Sequence, residues 1–412
     1  MSEPPLEAAH RSAFSQRRYR IYFPTSCLST LAAWVVRFLF GWVAWELTGS
    51  AFWVGSVASL MLIPTFLLSP LFGITADRIN PRDGLLVTMA LQGVVAGLAA
   101  GVAALDALAL PALAALALGF GAVTAAHTPI RLALIPRLVE RAALPSAIGY
   151  SAVIFNSSRI IGPAIGAAFL QVASITATFA GASLIFALAT LNLARVKGTA
   201  RKLSAAHRGS FLQQLRGGFR YLRNAQDIQL VFLLTLASGA LGRTAIELLP
   251  AISGQLLGGD ATALATLTAA AGGGSIVGGV IVSQQSGRLQ RLLQLVLVGI
   301  GLAAMTLLSA LAWYDIWTIA LAIAMVSLCT TMVGTGCQAL SQLIVSEEYR
   351  GRVMSLWVVV AMGTPAFGAV LVGSLADSFG FATAFAVPAS IAIVLVIVVL
   401  VRMRGGRVEF TR

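Results

Sequence analysis

Residues Gly84–Leu105 read GLLVTMALQGVVAGLAAGVAAL, a run with no Asp, Glu, Lys or Arg, set between Pro81-Arg82-Asp83 and Asp106. As a helix rising 1.5 Å per residue it would be about 33 Å long, enough to cross the hydrocarbon core of a bilayer. Further uncharged stretches follow on both sides: Ala107–Ile130, Ile160–Ala194, Ala261–Gly287, Leu292–Tyr314, Ile316–Ser346, Val353–Ala376 and Ser378–Val401. In hydrocarbon every backbone N–H and C=O must find its partner inside the protein. Continuous runs of this length do so as helices, whereas a barrel would show short alternating strands.

Adding segments broken by one or two charges gives twelve spans. The first six are Ile21–Glu46, Phe52–Ile74, Gly84–Leu105, Leu110–Ile130, Leu144–Val172 and Ile175–Ala194. The second six are Ile228–Leu249, Ala261–Ser283, Leu292–Ala312, Trp317–Ile344, Val353–Ala376 and Ala382–Val401. Composition agrees: of 412 residues 58% are hydrophobic and only 10% charged, against about 25% charged in soluble chains. Mean hydropathy is +0.89. The expected fold is an all-α polytopic membrane protein of twelve helices in two six-helix halves, residues 1–194 and 228–412, joined by a linker, 195–227.

Net charge is +13, but the basic residues sit between spans rather than on one face, which argues against nucleic acid as a partner. Arg17, Arg18 and Arg20 precede span one, Arg137 and Arg141 follow span four, Arg288 and Arg291 follow span eight, and Arg402 and Arg404 follow span twelve. The odd-numbered connections carry Glu46, Asp106, Asp260, Asp315 and Asp377 and no Lys or Arg. Positive charge is retained on the cytoplasmic side, so both termini are expected there, in an integral, multi-pass protein of a bacterial inner membrane. Met1–Phe14 is polar and lacks an apolar signal core, so span one is expected to act as its own insertion signal. The linker holds eight Lys and Arg from Arg195 to Arg223. Phe211–Leu222 reads as an amphipathic helix lying on the lipid surface.

The halves echo each other. Pro163-Ala-Ile-Gly166-Ala167 in span five returns as Pro365-Ala-Phe-Gly368-Ala369 in span eleven, and Arg37 in span one has a counterpart in Arg243 of span seven. Two such halves around a midplane cavity are the plan of a secondary transporter. The loop after span two, Gly73-Ile-Thr-Ala-Asp77-Arg78-Ile-Asn80-Pro81-Arg82, resembles the Gly-x-Leu-Ala-Asp-Arg-x-Gly-Arg-Arg loop of the major facilitator superfamily. Asn80 and Pro81 depart from that pattern. The resemblance implies that Asp77 and two guanidiniums, Arg78 and Arg82, press against the facing half. It also implies that Asp77 pairs with the start of span eleven near Arg350 and Arg352.

Span five resembles the antiporter motif of proton-coupled exporters, Gly-x8-Gly-x3-Gly-Pro-x2-Gly-Gly, at Gly149, Ser158, Gly162, Pro163, Gly166 and Ala167. Small residues at this spacing allow close helix contact and Pro163 bends the span. Gly218-Phe-Arg-Tyr-Leu-Arg223, Gly242-Arg243-x3-Glu247-Leu-Leu-Pro250 and Arg350-Gly-Arg-Val-Met-Ser355 are similar to the family of the enterobactin exporter and macrolide efflux proteins. That resemblance implies proton-driven efflux of medium-sized organic molecules.

Charges in mid-span cost several kcal/mol and ask for a reason. Arg37, Arg159 and Arg243 lie at similar depth in spans one, five and seven. Glu247, four residues after Arg243 and on the same helical face, is the one acid well inside a span. With Asn156 and Gln338 these residues are candidates for the substrate and proton pathway, and a net positive lining favours an anionic cargo. A bland alternative pairs Arg243 with Glu247 structurally and leaves Arg37 and Arg159 to backbone carbonyls. In the functional scheme, substrate binding at Arg243 frees Glu247 to take a proton. His127 reads as a packed, satisfied polar residue, and Cys27, Cys329 and Cys337 as small apolar ones.

There is no phosphate loop ending in Gly-Lys-Ser/Thr, and Gly272–Gly274 lies inside span eight with no strand before it. Three His and three scattered Cys offer no metal site, so neither enzyme nor cofactor is expected. The leading reading is a proton-coupled exporter of small, siderophore-like or drug-like molecules. The competing readings are a lipid or lysophospholipid translocase and a non-transporting sensor of the same fold.

Overall fold

Each of the long apolar runs is a helix in the computed structural model, which describes residues 12–196, 219–259, 261–285, 289–313 and 315–404. The first six spans are Arg17–Thr48, Ala51–Arg78, Pro81–Ala104, Leu110–Leu138, Leu144–Val172 and Ile175–Ala194. Spans eight, nine and ten are Ala261–Ser283, Leu289–Leu308 and Ile316–Ile344. Among the described residues there is no strand.

Two features depart from the hydropathy reading. The last two form one run, Glu347–Arg404, bent at Gly380, whose φ of 79° and ψ of 160° no helix contains. A residue without Cβ permits that break. Span seven extends past the expected Leu249 and is broken: Gln226–Ser238, a π turn at Gly239–Arg243, Thr244–Glu247, then Leu249–Leu257. Pro250 explains the second break, because it has no N–H for the carbonyl of Ile246 and its ring crowds that group. Leu248 takes up the bend at φ −92° and ψ 7°. The linker helix expected at Phe211–Leu222 lies largely outside the described residues; residues 219–224 are helical.

Equivalent spans meet in both halves. Two packs on four and three on six; eight packs on ten, and nine on the run that holds span twelve. The halves join where span two meets eleven, five meets eight and one meets seven. At the first of these junctions the backbones almost touch. A Cβ on Gly373 would stand 2.5 Å from the carbonyl oxygen of Ala51, and one on Gly55 would overlap the carbonyl of Ala369. Small residues let helices approach in lipid, where dispersion rather than water drives the contact.

Among the described residues, hydrogen bonds between the halves run from Ser50, Ala51 and Phe52 to Asp377, from Ser59 to Ala366, from Gln171 to Thr262 and from Arg37 to Glu247. All lie within roughly 12 residues, about 18 Å, of the helix ends that carry the odd-numbered connections. The halves are therefore clasped on the face opposite the two ends of the described chain.

Candidate functional site

The break in span seven fixes the site. The π turn ends on Arg243, and the single turn after it ends on Glu247, just before Leu248 turns the chain toward Pro250. The hydroxyl of Thr244 donates to the Gly239 carbonyl at 2.9 Å, supporting the widened turn from within. Opposite, the ring of Pro250 fills the place where Gly41 of span one has no side chain; a Cβ there would lie 2.8 Å from its Cγ.

Span one can thus come close enough for Arg37 to reach Glu247. Its Nη2 donates to Oε2 of the carboxylate, while Nε of Arg243 donates to Oε1 at 3.3 Å. One guanidinium from each half holds one oxygen of a single acid. The Glu247 side chain is only 7% exposed, and Arg37 and Arg243 are 24% and 27% exposed. The Arg37 guanidinium also lies over the Trp34 ring, 5.7 Å from its centroid, a cation–π geometry.

These groups line one partly open cavity between the halves. Arg159 of span five lines it too and, among the described residues, has no ion pair or hydrogen bond. Phe38, Met61, Ile246, Leu249 and Leu264 supply apolar wall, and Thr268 a neutral hydroxyl. Among the described residues, the charged groups of the lining are three guanidiniums and one carboxylate.

The structure thus brings together Arg37, Arg159, Arg243 and Glu247. Arg37 lines the cavity and pairs with Glu247 across the half-interface rather than with a backbone carbonyl, and the Arg243–Glu247 pair is present as well. Gln338 does not join them; it is exposed in span ten and outside the lining. The side chain of Asn156 lies outside the described residues.

The antiporter-like motif divides. Gly162 faces the backbone of Trp34, where a Cβ would lie 3.2 Å from its carbonyl carbon, and Gly166 faces the Phe38 ring at 2.8 Å. Both seat span five on span one, on either side of Pro163, which lines the cavity. Ser158 and Ala167 are buried, and nothing lies within 4 Å of a Cβ on Gly149.

In the loop motif the side chains of Gly73, Asp77 and Arg78, like those of Arg350 and Arg352, lie outside the described residues. Arg82 is described, and it corrects the expectation that it presses on the facing half. It donates to Asp83 at 2.8 Å and to the carbonyl of Ala194 at 2.7 Å, tying span three to the end of span six in its own half. Asn80, accepting from the Arg82 N–H at 3.1 Å, caps span three and turns the chain that way. His127 has the partner expected of a packed polar residue, Thr88, at 3.2 Å.

Asp377 was read only as an acid in a bare connection. It reaches from span eleven to the first turn of span two, accepting from the Ser50 hydroxyl at 2.5 Å and the N–H groups of Ala51 and Phe52 at 2.7 and 3.0 Å. The one local signal was Ser50, a capping residue before an apolar run.

A model of the transmembrane secretion effector family matches residues 8–410. The chain is 23% identical to the staphyloferrin A transporter of Staphylococcus aureus, over 89% of this chain and 92% of that protein. It is 25% identical to macrolide efflux protein A of Streptococcus pyogenes, over 81% and 83%. In fold it is similar to a bacterial homologue of the human lysosomal transporter Spinster, with TM-score 0.69, 15% identity, and 93% and 95% of the two chains covered. The chain belongs to the transmembrane secretion effector family and is an integral membrane transporter of the major facilitator type.

Proposed function

We propose that this transporter is a proton-coupled exporter of small organic molecules that works by alternating access, in a bacterial inner membrane with both termini in the cytoplasm. One observation carries the reading: Glu247 sits in the cavity between a guanidinium from each half. While it is ionised it links span one to span seven. Once it is protonated both guanidiniums are released, so a proton and a cargo that touches these groups act on the same inter-half contact. A conformational equilibrium responds to a ligand only through such a differential contact. Export as the direction rests on likeness to a macrolide efflux protein, and a small organic cargo also on likeness to a staphyloferrin A transporter.

The test uses everted membrane vesicles, whose interior corresponds to the outside of the cell. A panel of macrolides and siderophores is offered under an imposed pH gradient. Wild-type vesicles should accumulate at least one member, and collapsing the pH gradient should abolish accumulation. Glu247→Gln should lose gradient-driven accumulation yet keep exchange of labelled for unlabelled cargo at equal pH. Full gradient-driven accumulation by Glu247→Gln, or lipid scrambling in place of soluble cargo, would overturn the proposal.

A further inference from the structure

The charged groups of the cavity are not equivalent. Arg37 and Arg243 are each bonded to one oxygen of Glu247, and both oxygens are taken. Arg159 has no such partner among the described residues, yet it lines the same space. The four charges sum to +2. One unit is spread over two guanidiniums already bonded to a carboxylate, and the other is concentrated on Arg159. A partly buried cation with no hydrogen-bonded counter-ion is costly, and a planar guanidinium can donate two parallel hydrogen bonds to one carboxylate or phosphate. The rest of the wall is mainly apolar, with Phe38, Met61 and Leu264 among its residues. Among the described residues, a second anionic group on the same molecule would find no uncommitted guanidinium in the lining unless it displaced Glu247.

We infer that the cavity takes an organic monoanion: one carboxylate, phosphate or sulfonate on an apolar body, its anionic group docked on Arg159. This rests on reading the cavity as the cargo site of the transporter proposed above. It does not depend on proton coupling, and the test is therefore binding without any gradient.

Purified full-length protein in nanodiscs of neutral phosphatidylcholine is titrated at one pH with four probes of one shape. These are naphthoate, its neutral isostere naphthamide, naphthalene dicarboxylate and naphthylmethylamine. Wild type should bind naphthoate at least about tenfold more tightly than naphthamide, the size of one charge-assisted hydrogen bond. The dicarboxylate should bind no more tightly than naphthoate, and the amine least. Arg159→Gln should bring naphthoate and naphthamide together, and Arg159→Lys should restore part of the gap. Glu247→Gln frees Arg37 and Arg243, so the dicarboxylate should become the tightest ligand. Melting curves verify that each variant is folded. The inference is overturned if wild type binds naphthamide or the amine as tightly as naphthoate, if it binds no naphthoate, or if Arg159→Gln keeps the preference. A failed pH-gradient experiment with the binding order intact would remove the coupling scheme and leave the cargo class standing.

Discussion

The carboxylate of Asp377 accepts the backbone N–H of Ala51 at 2.7 Å, so an acid at the end of span eleven caps the helix that opens span two in the other half. Its second oxygen takes the Ser50 hydroxyl and the Phe52 N–H. Gln255 adds a donor at 3.3 Å from span seven. The first N–H groups of a helix have no partner within it, and a carboxylate there also meets the positive end of the helix dipole. Such a cap contributes about 0.5–2 kcal/mol, and here it exists only while the halves are clasped on this face.

Asp377→Ala should therefore move the population toward states open on the face of the odd-numbered connections. A change of one to two kcal/mol corresponds to roughly 5–30-fold in the ratio. Spin labels at Asp106 and Trp317, one in each half on that face, should show a larger long-distance fraction. An unchanged distance distribution would remove Asp377 from the clasp.

A second contact on this face is steric. A Cβ on Gly254 of span seven would overlap the indole of Trp45 in span one. Gly254→Ala should lower thermal stability by about 1–3 kcal/mol, the usual cost of overpacking. Trp45→Leu in the same chain should recover most of that loss, since a side chain is the obstacle. Gly55→Ala should not be recoverable in this way, because its obstacle is the Ala369 backbone. Melting temperatures of the two singles and the double give the comparison.

Orientation follows from charge placement and can be read chemically. In a Cys-free background, single cysteines at Asp106 and Asn224, both exposed, lie on an odd-numbered connection and in the linker region. A membrane-impermeant maleimide should label the first on intact cells and the second only in everted vesicles. Labelling of both from one side would reject both the twelve-span topology and the assigned orientation.

Helix number and order were legible because each span is a long uncharged run, and hydrocarbon leaves the backbone no other way to pair. Spans five, six and eight begin and end where hydropathy places them. The break in span seven was only half legible. Pro250 marks it, but a π turn has no apolar period of its own to reveal it. The membership of the cavity was legible in Arg37, Arg159, Arg243 and Glu247, since a charge in mid-span needs a reason. Their pairing was not, because Arg37 and Glu247 are 210 residues apart and periodicity reports only neighbours on one helix. Gln338 shows the converse. Polarity within an apolar span gives depth but not the side of the helix, and this exposed residue is outside the cavity lining. Asp377 looked like any acid in a short connection, and its role depends on span two arriving from the other half.

The last prediction separates the two guanidiniums on Glu247. Arg243 is four residues away on the same span, and such a pair persists wherever span seven goes. Arg37 belongs to the other half, so its bond exists only while spans one and seven face each other at this depth. Breaking a buried pair by removing one member costs about 3–5 kcal/mol, and here less, because both arginines keep about a quarter of their side-chain surface. Arg37→Gln should therefore lower the melting temperature and raise the long-distance fraction of the label pair at Asp106 and Trp317. Arg243→Gln should lower the melting temperature less and leave the distance distribution near that of wild type. Adding Glu247→Gln to Arg37→Gln should return part of the lost stability, since the acid is no longer left with a single, longer bond. Equal shifts of the distance distribution from Arg37→Gln and Arg243→Gln would mean that Glu247 does not distinguish the halves, and the inter-half link would lose its place in the transport cycle.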